Sequence, residues 1–434
     1  MGPGSQRPCL VGLWGADADE LRAVAGAASA RLRNPGAASP PGVVGEEGIR
    51  LLARGETAAE VAEGLAEFAA GEQVPAVVVG EPVEAPPRVA FVFAGQSEVR
   101  SGMGAELYRR NRCFAEAMDR CSAALGETLG TTLAAAIYGS EDSGLLDDPR
   151  LAQPALFALQ VALAEVWGRW GVTPDMVSGH SLGEYAAACV AGAIGVEEGA
   201  RLVGARGAIT ESRARSGLMA VLFADEDRVA EALAGSGEDV SIAAVNAPGV
   251  VVVSGETDAV TRVLAGFDAR GVNAKVLRVS HPFHSSCIDP MLDELEEAAA
   301  SASIGRPRIP FVSALGARAL GPEETLDSDY WRRHAREPVR FLDATRELSR
   351  AGCAIFLELG PHATLTGLGP RCLDGQTTAW LPSLKRTGND HRWLTDAAVK
   401  LWLAGVDVDL AAVGDSCGWD LLAPSGVAEG SSAR

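Results

Sequence analysis

A short apolar run that leads into Gly-His-Ser-Leu-Gly is the feature that most restricts how this chain can fold. In the segment VSGHSLGEYAA (177–187), a serine stands between two glycines where the apolar run gives way to a helix-like pattern. A Gly-x-Ser-x-Gly segment is typical of a strained, tightly packed turn from a buried strand into a helix. We therefore expect a strand at residues 175–178, a helix beyond Gly183, and Ser181 at the turn between them.

Ser181 is a candidate nucleophile, because such a turn presents its hydroxyl at a helix N-terminus, where backbone N–H groups stabilise an oxyanion. The alternative is an ordinary N-cap serine, with Glu184 completing a capping box. A serine nucleophile needs a base, and the best candidates among the six histidines are His281 and His284, in SHPFHSS (280–286). The alternative for these two is a pair of loop histidines, or a His-x-x-His metal site that lacks further ligands.

Apolar strands alternate with amphipathic helices along most of the chain, which predicts an α/β fold. A small first unit is predicted to contain a strand at 8–14, helices at 16–33 and 57–70, and a strand at 75–80, with a Gly/Pro-rich break between the helices. The main unit is predicted to contain strands at 88–94, 309–313 and 354–359, and helices near 103–124, 130–137, 152–170 and 390–403.

Residues 217–280 have a different order of elements from the rest of the main unit. A strand, a helix, two strands joined at Ala247-Pro248, a helix and a strand follow one another. This βαββαβ order is the ferredoxin-like arrangement. We therefore expect an α/β-hydrolase-like large subdomain with an inserted ferredoxin-like small subdomain, preceded by a small α/β domain.

Length and composition restrict the class of protein. A chain of 434 residues is too long for one core, so two to four structural units are expected. The net charge of −19 argues against nucleic acid or an anionic membrane as the main partner. The eight cysteines form no Cys-x-x-Cys pair, which argues against a zinc ribbon and fits a reduced, cytoplasmic setting.

The sequence also carries no pattern typical of a membrane protein. No apolar run approaches the roughly 20 residues that span a bilayer, and the N-terminus lacks the layout of a signal peptide. Residues 1–5 (MGPGS) are typical of an expression vector, so we expect a piece of a longer protein.

Five motifs occur in a fixed order in the main unit. They are FAGQ (93–96), GHSLGE (179–184), Arg206, HPFHS (281–285) and LELGPH (357–362). Together they resemble the motifs of the acyltransferase domain of type I polyketide synthases, which is related to malonyl-CoA:acyl-carrier-protein transacylases. The resemblance covers about residues 88–385. Residues 8–86 resemble the linker between a ketosynthase and the acyltransferase, and residues 386–410 resemble the post-acyltransferase linker.

The resemblance implies a division of the chain into domains. Beyond the vector-like residues 1–5, the expected parts are the ketosynthase-acyltransferase linker domain (6–87), the large subdomain (88–216 and 281–385), the small subdomain (217–280), and the post-acyltransferase linker with a flexible tail (386–434).

The resemblance also implies catalytic roles. Ser181 would carry the acyl group as an ester, and His284 would act as general base and then as acid. A backbone carbonyl, that of Glu337, would orient His284, while the N–H groups of Gln96 and Leu182 would form the oxyanion hole. No metal or permanently bound cofactor is needed.

The chain departs from the family pattern in two loops. Many relatives have an amide side chain at the position of Glu337. Relatives also usually have PGQGSQ where this chain has AGQSEVR (94–100), which puts side-chain contacts of that loop in doubt.

Substrate selection is implied by a further set of residues. An arginine at the place of Arg206 grips the free carboxylate of malonyl-type substrates, for which its planar fork is suited. The alternative is a surface helix arginine paired with Glu211. In HPFH, which includes His281, Phe283 would crowd a 2-methyl branch, and so would favour malonyl over methylmalonyl. Asn246 matches a family asparagine near the substrate, although its sequence is also ordinary turn chemistry.

Two neighbouring residues bear on the same choice of acyl group. An aliphatic residue after the serine, here Leu182, accompanies malonyl in this family. Pro282 is unusual at its place in the HPFH motif and can shift that loop.

The expected acyl donor is coenzyme A, in malonyl-CoA, and the expected acceptor is the phosphopantetheine thiol of an acyl carrier protein, with a ketosynthase as the adjacent domain. Because such carriers are typically acidic, docking through a local basic surface is expected. The candidate surface consists of Arg332, Arg333, Arg336, Arg340, Arg346 and Arg350. The equal alternative is a solvated helix face with Asp343 and Glu347 as partners. The rival functions are a serine esterase or thioesterase and a non-catalytic scaffold.

Overall fold

The computed structural model describes residues 8–34, 48–96, 99–126, 130–139, 144–234, 239–277, 279 and 281–422. These residues form two compact units, the first from residues up to Pro87, 167–172 and those from His391 onward, and the second from Arg88–Val166 and Thr173–Asp390. The vector-like residues 1–5, the loop positions Ser97 and Glu98, Ser280, and the tail beyond residue 422 lie outside the described residues.

The strands of the described chain are β1 (Cys9–Gly15), β2 (Ile49–Gly55), β3 (Val77–Val79), β4 (Arg88–Phe93), β5 (Met176–Gly179), β6 (Leu218–Leu222), β7 (Val240–Ala247), β8 (Val250–Gly255), β9 (Ala274–Val276), β10 (Phe311–Ser313), β11 (Arg318–Ala319), β12 (Cys353–Leu359), β13 (Ala379–Pro382) and β14 (Asp420–Leu421).

The helices are α1 (Ala18–Arg33), α2 (Ala58–Ala69), α3 (Ala105–Arg110), α4 (Arg112–Leu125), α5 (Leu133–Tyr138), α6 (Pro149–Arg169), α7 (Gly183–Val190), α8 (Val196–Arg213), α9 (Glu226–Leu233), α10 (Thr257–Asp268), α11 (Leu292–Ala300), α12 (Ser328–Arg336), α13 (Phe341–Arg350), α14 (Thr364–Leu368), α15 (Asp390–Leu403) and α16 (Leu410–Cys417).

The first unit is built on a four-stranded sheet in the order β14-β1-β2-β3, against which α1 and α2 bury apolar side chains. The sequence reading placed no strand at β2, where Arg50 interrupts the apolar pattern. Arg50 is buried nevertheless, because its guanidinium donates to the carbonyls of Trp402 at 2.9 Å and Val406 at 2.8 Å. Helix α16 was also missed.

The second unit contains a six-stranded sheet in the order β11-β10-β5-β4-β12-β13, in which every pairing is parallel except that of β11. In this register Phe93 pairs with both Gly179 and Leu359, so β4, β5 and β12 end at the same edge. Ligands of open α/β sheets bind at such carboxyl ends. The motifs FAGQ, GHSLGE and LELGPH therefore meet at one edge of the sheet.

The small subdomain is an antiparallel sheet in the order β7-β8-β6-β9, with the chain order βαββαβ predicted from the sequence. This sheet order is that of a ferredoxin-like fold. Helices α9 and α10 cover one face, and the other face packs on the large subdomain in a shared core that includes Val245, Val252 and Phe341. Val339 lies along the edge of β7, donating to the Ala243 carbonyl and accepting from Val245 N–H, each at 2.9 Å.

The helix expected at 103–124 is divided in two. Helix α3 ends at Arg110, and the side chain of Asn111 accepts a hydrogen bond from the Phe114 N–H at 3.0 Å, which starts α4. An asparagine N-cap of this kind satisfies a backbone donor that has no partner within the helix.

Helix α6 is long and apolar enough, by length and composition, to cross a membrane, although polar and charged residues interrupt its apolar sequence. This helix has 21 residues and a window of mean hydropathy 1.2, the one such helix found in the residues that the structure describes. However, 89% of that window is buried inside the protein. Its Gln160 donates to the Ala94 carbonyl at 2.7 Å and the Leu359 carbonyl at 3.2 Å, so α6 acts as a core helix that joins the ends of β4 and β12.

Candidate active site

Ser181 lies at a strained turn between β5 and α7. Its φ is 49°, in the left-handed region that a non-glycine residue rarely adopts. The flanking glycines are required by close approach, since a Cβ on Gly183 would lie 2.3 Å from the Phe93 carbonyl oxygen and one on Gly179 would lie 2.3 Å from the Glu184 nitrogen. The capping-box alternative was wrong, because α7 begins after Leu182 with no side-chain cap.

Ser181 and His284 are brought together by the fold. Ser181 Oγ lies 2.8 Å from His284 Nε2, and His284 Nδ1 lies 2.8 Å from the Glu337 carbonyl oxygen. Since a carbonyl only accepts, Nδ1 carries the proton and Nε2 is free to accept from the serine hydroxyl. Burial, followed by the charge of Arg206, lowers the pKa of His284 to about 3. The imidazole is therefore neutral and ready to take a proton.

The departure at Glu337 concerns only its side chain. Glu337 follows the last residue of α12, and its backbone carbonyl faces His284. Its carboxylate turns to Arg333 instead, with 2.7 Å between Arg333 Nε and Glu337 Oε1. A glutamate in place of an amide thus leaves the carbonyl contact intact.

Gln96 and Leu182 lie in two turns that abut. Leu182 directly follows Ser181, and Gln96 follows β4 in the turn that begins at Ala94. A Cβ on Gly95 would lie 3.0 Å from His180 Nδ1 and 3.2 Å from the His180 carbonyl oxygen. The oxyanion hole that these two residues are expected to form stays a prediction.

Arg206 is buried, with 1% of its surface exposed. It donates to Gln153 Oε1 at 2.6 Å, and its guanidinium carbon lies 5.0 Å from the ring of Phe283 and 5.9 Å from that of Tyr185. The alternative of a surface arginine paired with Glu211 was therefore wrong. Within the described ranges, no carboxylate pairs with Arg206 and its Nε has no hydrogen-bond partner. A buried, uncompensated guanidinium is an attractive site for an anion.

The other candidates, His281 and Asn246, contact residues of the site. His281 is partly buried, and its ring is 6.2 Å from that of Phe283. His284 uses both ring nitrogens for protein partners, and no group of three or more potential metal-ligating side chains was found in the part of the chain that the structure describes. Asn246 Oδ1 accepts from His180 Nε2 at 2.8 Å, so Asn246 reaches the serine turn through His180.

Several residues of the site were missed from the sequence. Gln153 lies within the apolar segment AQPALFALQ of α6 and is fully buried. A polar amide among apolar residues was the only feature of the sequence that could have indicated a role for it. His334 is flanked by arginines in RRHAR, a pattern typical of a surface helix face. It is nevertheless only 3% exposed, and its Nε2 lies 3.2 Å from the Ser181 carbonyl oxygen.

The six arginines proposed as a docking surface each have an acidic partner. The pairs are Arg332 with Asp293 and Glu296, Arg333 with Glu337, Arg336 with Asp289, Arg340 with Glu226 and Asp343, Arg346 with Asp374, and Arg350 with Glu347. Asp343 and Glu347 are the partners named from the sequence for a solvated helix face. The structure thus favours that alternative over an unpaired basic surface.

Comparison with known proteins shows the family of the chain. The model of the acyl transferase domain family matches residues 90–408. Polyketide synthase GfsA of Streptomyces halstedii is 40% identical over 370 residues, which are 84% of this chain and 5% of the synthase. The chain spans only 5% to 9% of the length of the first synthases that it matches.

The chain also matches solved structures, and each match covers most of the length of the solved chain. The acyltransferase domain from the second module of the salinomycin polyketide synthase has a TM-score of 0.77 and 38% identity, covering 84% of this chain and 85% of that one. The malonyl-CoA:acyl carrier protein transacylase of Xanthomonas oryzae has a TM-score of 0.63 and 32% identity, covering 69% of this chain and 95% of that one. The chain therefore belongs to the acyl transferase domain family, as an acyltransferase of the type I polyketide synthase kind.

Proposed function

We propose that this acyltransferase moves a malonyl group from coenzyme A to the phosphopantetheine thiol of an acyl carrier protein, by way of an ester on Ser181. The observation that carries the proposal is Arg206, which is buried and without a carboxylate partner among the described residues. Its charge lowers the pKa of His284, which means that it acts within electrostatic range of the serine and histidine pair. A substrate with a free carboxylate would compensate this charge.

Loading begins when Ser181 Oγ bonds to the thioester carbonyl carbon and its proton passes to His284 Nε2. The Glu337 carbonyl holds the imidazolium through Nδ1–H. The N–H groups of Gln96 and Leu182 accommodate the negative oxygen, and each such donor is typically worth about 100-fold to 1,000-fold in rate. The carbon–sulfur bond then breaks, and the sulfur of coenzyme A takes the proton from His284.

Transfer runs through the same groups in reverse order. The carrier thiol gives its proton to His284 Nε2 while its sulfur bonds to the ester carbonyl carbon. Ser181 Oγ then leaves and recovers the proton from His284. His284 thus serves as base and then, once protonated, as acid in each half-reaction. Because coenzyme A leaves before the carrier thiol reacts with the ester on Ser181, the reaction is ping-pong.

Phe283 supports malonyl over methylmalonyl as the acyl group. Its ring is 93% buried and lies 5.0 Å from the guanidinium carbon that would hold the substrate carboxylate. A 2-methyl branch lies between that carboxylate and the carbonyl on Ser181, where this ring limits space. One methyl group changes selectivity by about tenfold to 200-fold, so we expect a preference of that order.

The position in the parent protein follows from the family. The chain spans a small part of each matched synthase, and residues 6–87 and 386–434 correspond in this proposal to the linkers before and after the acyltransferase. A ketosynthase would precede the first linker.

The test is intact-mass spectrometry after incubation with malonyl-CoA, with Ser181→Ala as control. We expect one malonyl adduct on the wild type, none on Ser181→Ala, and loss of the adduct when a carrier protein is added. Rapid hydrolysis without transfer would indicate an esterase instead, and the absence of any adduct would indicate a non-catalytic scaffold.

Arg206→Ala tests the carboxylate contact separately. Because a hydrogen-bonded ion pair is lost only with malonyl, we expect malonyl loading to fall at least about tenfold more than acetyl loading. The rates of adduct formation from malonyl-CoA and acetyl-CoA give this ratio. Equal losses for both donors would contradict a role for Arg206 in binding the carboxylate.

A further inference from the structure

Helix α12 makes a contact with the serine turn that the catalytic scheme does not use. His334, 3% exposed, lies with its Nε2 3.2 Å from the Ser181 carbonyl oxygen and 3.5 Å from Glu184 Oε2. The Ser181 carbonyl oxygen can only accept a hydrogen bond, so the ring proton lies on His334 Nε2 and points toward that oxygen.

The carboxylate of Glu184 is held by two other elements. It is fully buried, and its Oε1 accepts from the Ala314 N–H at 2.6 Å while its Oε2 accepts from the Tyr330 hydroxyl. Tyr330 oxygen also lies 2.7 Å from Ser313 Oγ. The carboxyl group of Glu184 is thus fixed in place by α12 and by the residue that follows β10.

The ring of His334 has little freedom to move. It stacks on Tyr330 with centroids 6.0 Å apart and planes at 17°, and it meets the ring of Trp331 edge-on at 5.3 Å. Burial is the main cause that holds the pKa of His334 well below its usual range, and the positive charge of nearby Arg206 acts in the same direction. The imidazole therefore stays neutral, with a single N–H to donate.

The contact reaches the candidate oxyanion hole through one peptide group. The Ser181 carbonyl and the Leu182 N–H belong to the same planar trans peptide, so they point in opposite directions. A hydrogen bond from His334 to the Ser181 carbonyl oxygen, on one side of the peptide, therefore fixes the direction of the Leu182 N–H on the other side. The same oxygen accepts from the Glu184 N–H at 2.9 Å, which gives the peptide two anchors, one within the turn and one from α12.

We propose that His334 is a positioning residue, which orients the Ser181–Leu182 peptide so that the Leu182 N–H faces the oxygen that becomes negative during acyl transfer. The proposal rests on the proposed function, in which that N–H is an oxyanion donor. His334 touches neither substrate nor reacting atoms in this scheme and acts through the peptide alone.

The experiment compares His334→Leu, which removes the donor, with His334→Gln, which keeps an N–H at similar reach. Trp331→Phe is the matched control, because it alters the neighbouring buried ring without a bond to Ser181. We expect His334→Leu to lower kcat for acylation by about tenfold to 100-fold with KM changed less than about threefold, since one oxyanion donor is misdirected rather than removed. His334→Gln should recover most of this loss, and Trp331→Phe should keep kcat near that of the wild type.

The rate at which a fluorophosphonate phosphonylates Ser181 is measured on the same variants by mass spectrometry. This probe also develops negative charge on oxygen but needs no malonyl group, so it decides the role of His334 even if malonyl loading fails. Failure of malonyl loading alone counts against the proposed function only. Equal phosphonylation rates in His334→Leu and the wild type would overturn the proposal. The proposal would also be overturned if His334→Leu, His334→Gln and Trp331→Phe lost equal amounts of kcat and these losses followed the fall in their melting temperatures.

Discussion

The two residues that face each other in the site are both in the left-handed region of φ. Ser181 has a φ of 49° and His284 a φ of 59°, and neither is glycine. Each such residue costs about 1–3 kcal/mol, so surrounding contacts have to hold it in place. For Ser181 these include the Glu184 N–H and His334, and for His284 the Glu337 carbonyl. Of the three non-glycine residues with positive φ among the described residues, two are therefore the nucleophile and its base.

The pH dependence of acylation follows from His284. A lowered pKa, about 3 against an ordinary value of 6.5, means that the base stays unprotonated until the pH falls toward 3. We therefore expect the single-turnover rate of Ser181 acylation by malonyl-CoA to be flat from about pH 5 to 8, with no loss near the ordinary histidine pKa. Rapid-quench mass spectrometry at fixed ionic strength measures this rate. An acidic limb with an apparent pKa between 6 and 7 would contradict the expectation.

For individual residues, the sequence predicts those that take part in the reaction better than those that position them. Ser181 was named from its flanking glycines, and His281 and His284 as a histidine pair. The choice of His284 and the role of Arg206 came from the resemblance to the acyltransferase family. Gln153 and His334 have no comparable signal, since their roles depend on burial and on residues far away in sequence. His334 and Ser181 are 153 positions apart, and only the fold brings them together.

Helix α12 supports both members of the serine and histidine pair. Its buried face carries Trp331, His334 and Ala335, while its arginines point outward to acidic partners. His334 contacts the Ser181 carbonyl, and Glu337, directly after the helix, contacts His284. One rigid helix therefore keeps the spacing between nucleophile and base.

Element boundaries show which local signals the sequence carries. The strands β4, β5, β7 and β8 were predicted because their apolar runs are continuous and end at glycine or proline. Strand β2 was missed because a buried arginine breaks its run, and its partners, the Trp402 and Val406 carbonyls, are more than 350 positions away. Because the partners of the buried Arg50 charge are distant in sequence, no pattern in the neighbouring residues indicates the strand.

The carboxyl of Glu184, at the start of α7, gives the fold a dependence on pH. Burial raises the pKa of Glu184 to about 8 from 4.5, although the Tyr330 hydrogen bond opposes this. Between these two values the folded chain keeps a proton that the unfolded chain releases, so stability falls as the pH rises through this window. The contribution is fully present below about 4.5 and fully lost above about 8.

We expect Glu184→Gln, which cannot titrate, to lose less free energy of unfolding between pH 5 and 8 than the wild type, by at least about 1 kcal/mol. Urea unfolding at the two pH values measures this difference. Glu358, whose pKa burial raises to about 7, titrates in both proteins and so cancels in the comparison. Equal losses in variant and wild type would show that Glu184 is ionised throughout.

Over the whole molecule, charge restricts how a carrier protein can approach. The chain carries a net charge of −19. The sequence left open whether six arginines form a local basic surface or a solvated helix face, and in the structure each of the six pairs with an acidic side chain. Paired charges of opposite sign give little net field at a distance. This region therefore offers an acidic carrier no net positive surface, while the net charge of the whole chain has the same sign as the carrier.

Transfer to an acidic carrier should consequently become faster as salt is added. Raising the ionic strength from about 0.01 M to 0.1 M shortens the Debye length from about 30 Å to about 10 Å, which screens repulsion between the two proteins. We expect kcat/KM for malonyl transfer to the carrier to rise by about twofold to tenfold, because encounter rates depend on the long-range field. Free pantetheine, an uncharged acceptor with the same thiol, is the control, and its kcat/KM should change little. A fall in kcat/KM for the carrier reaction as salt is added would instead indicate attraction through a basic surface formed by other residues.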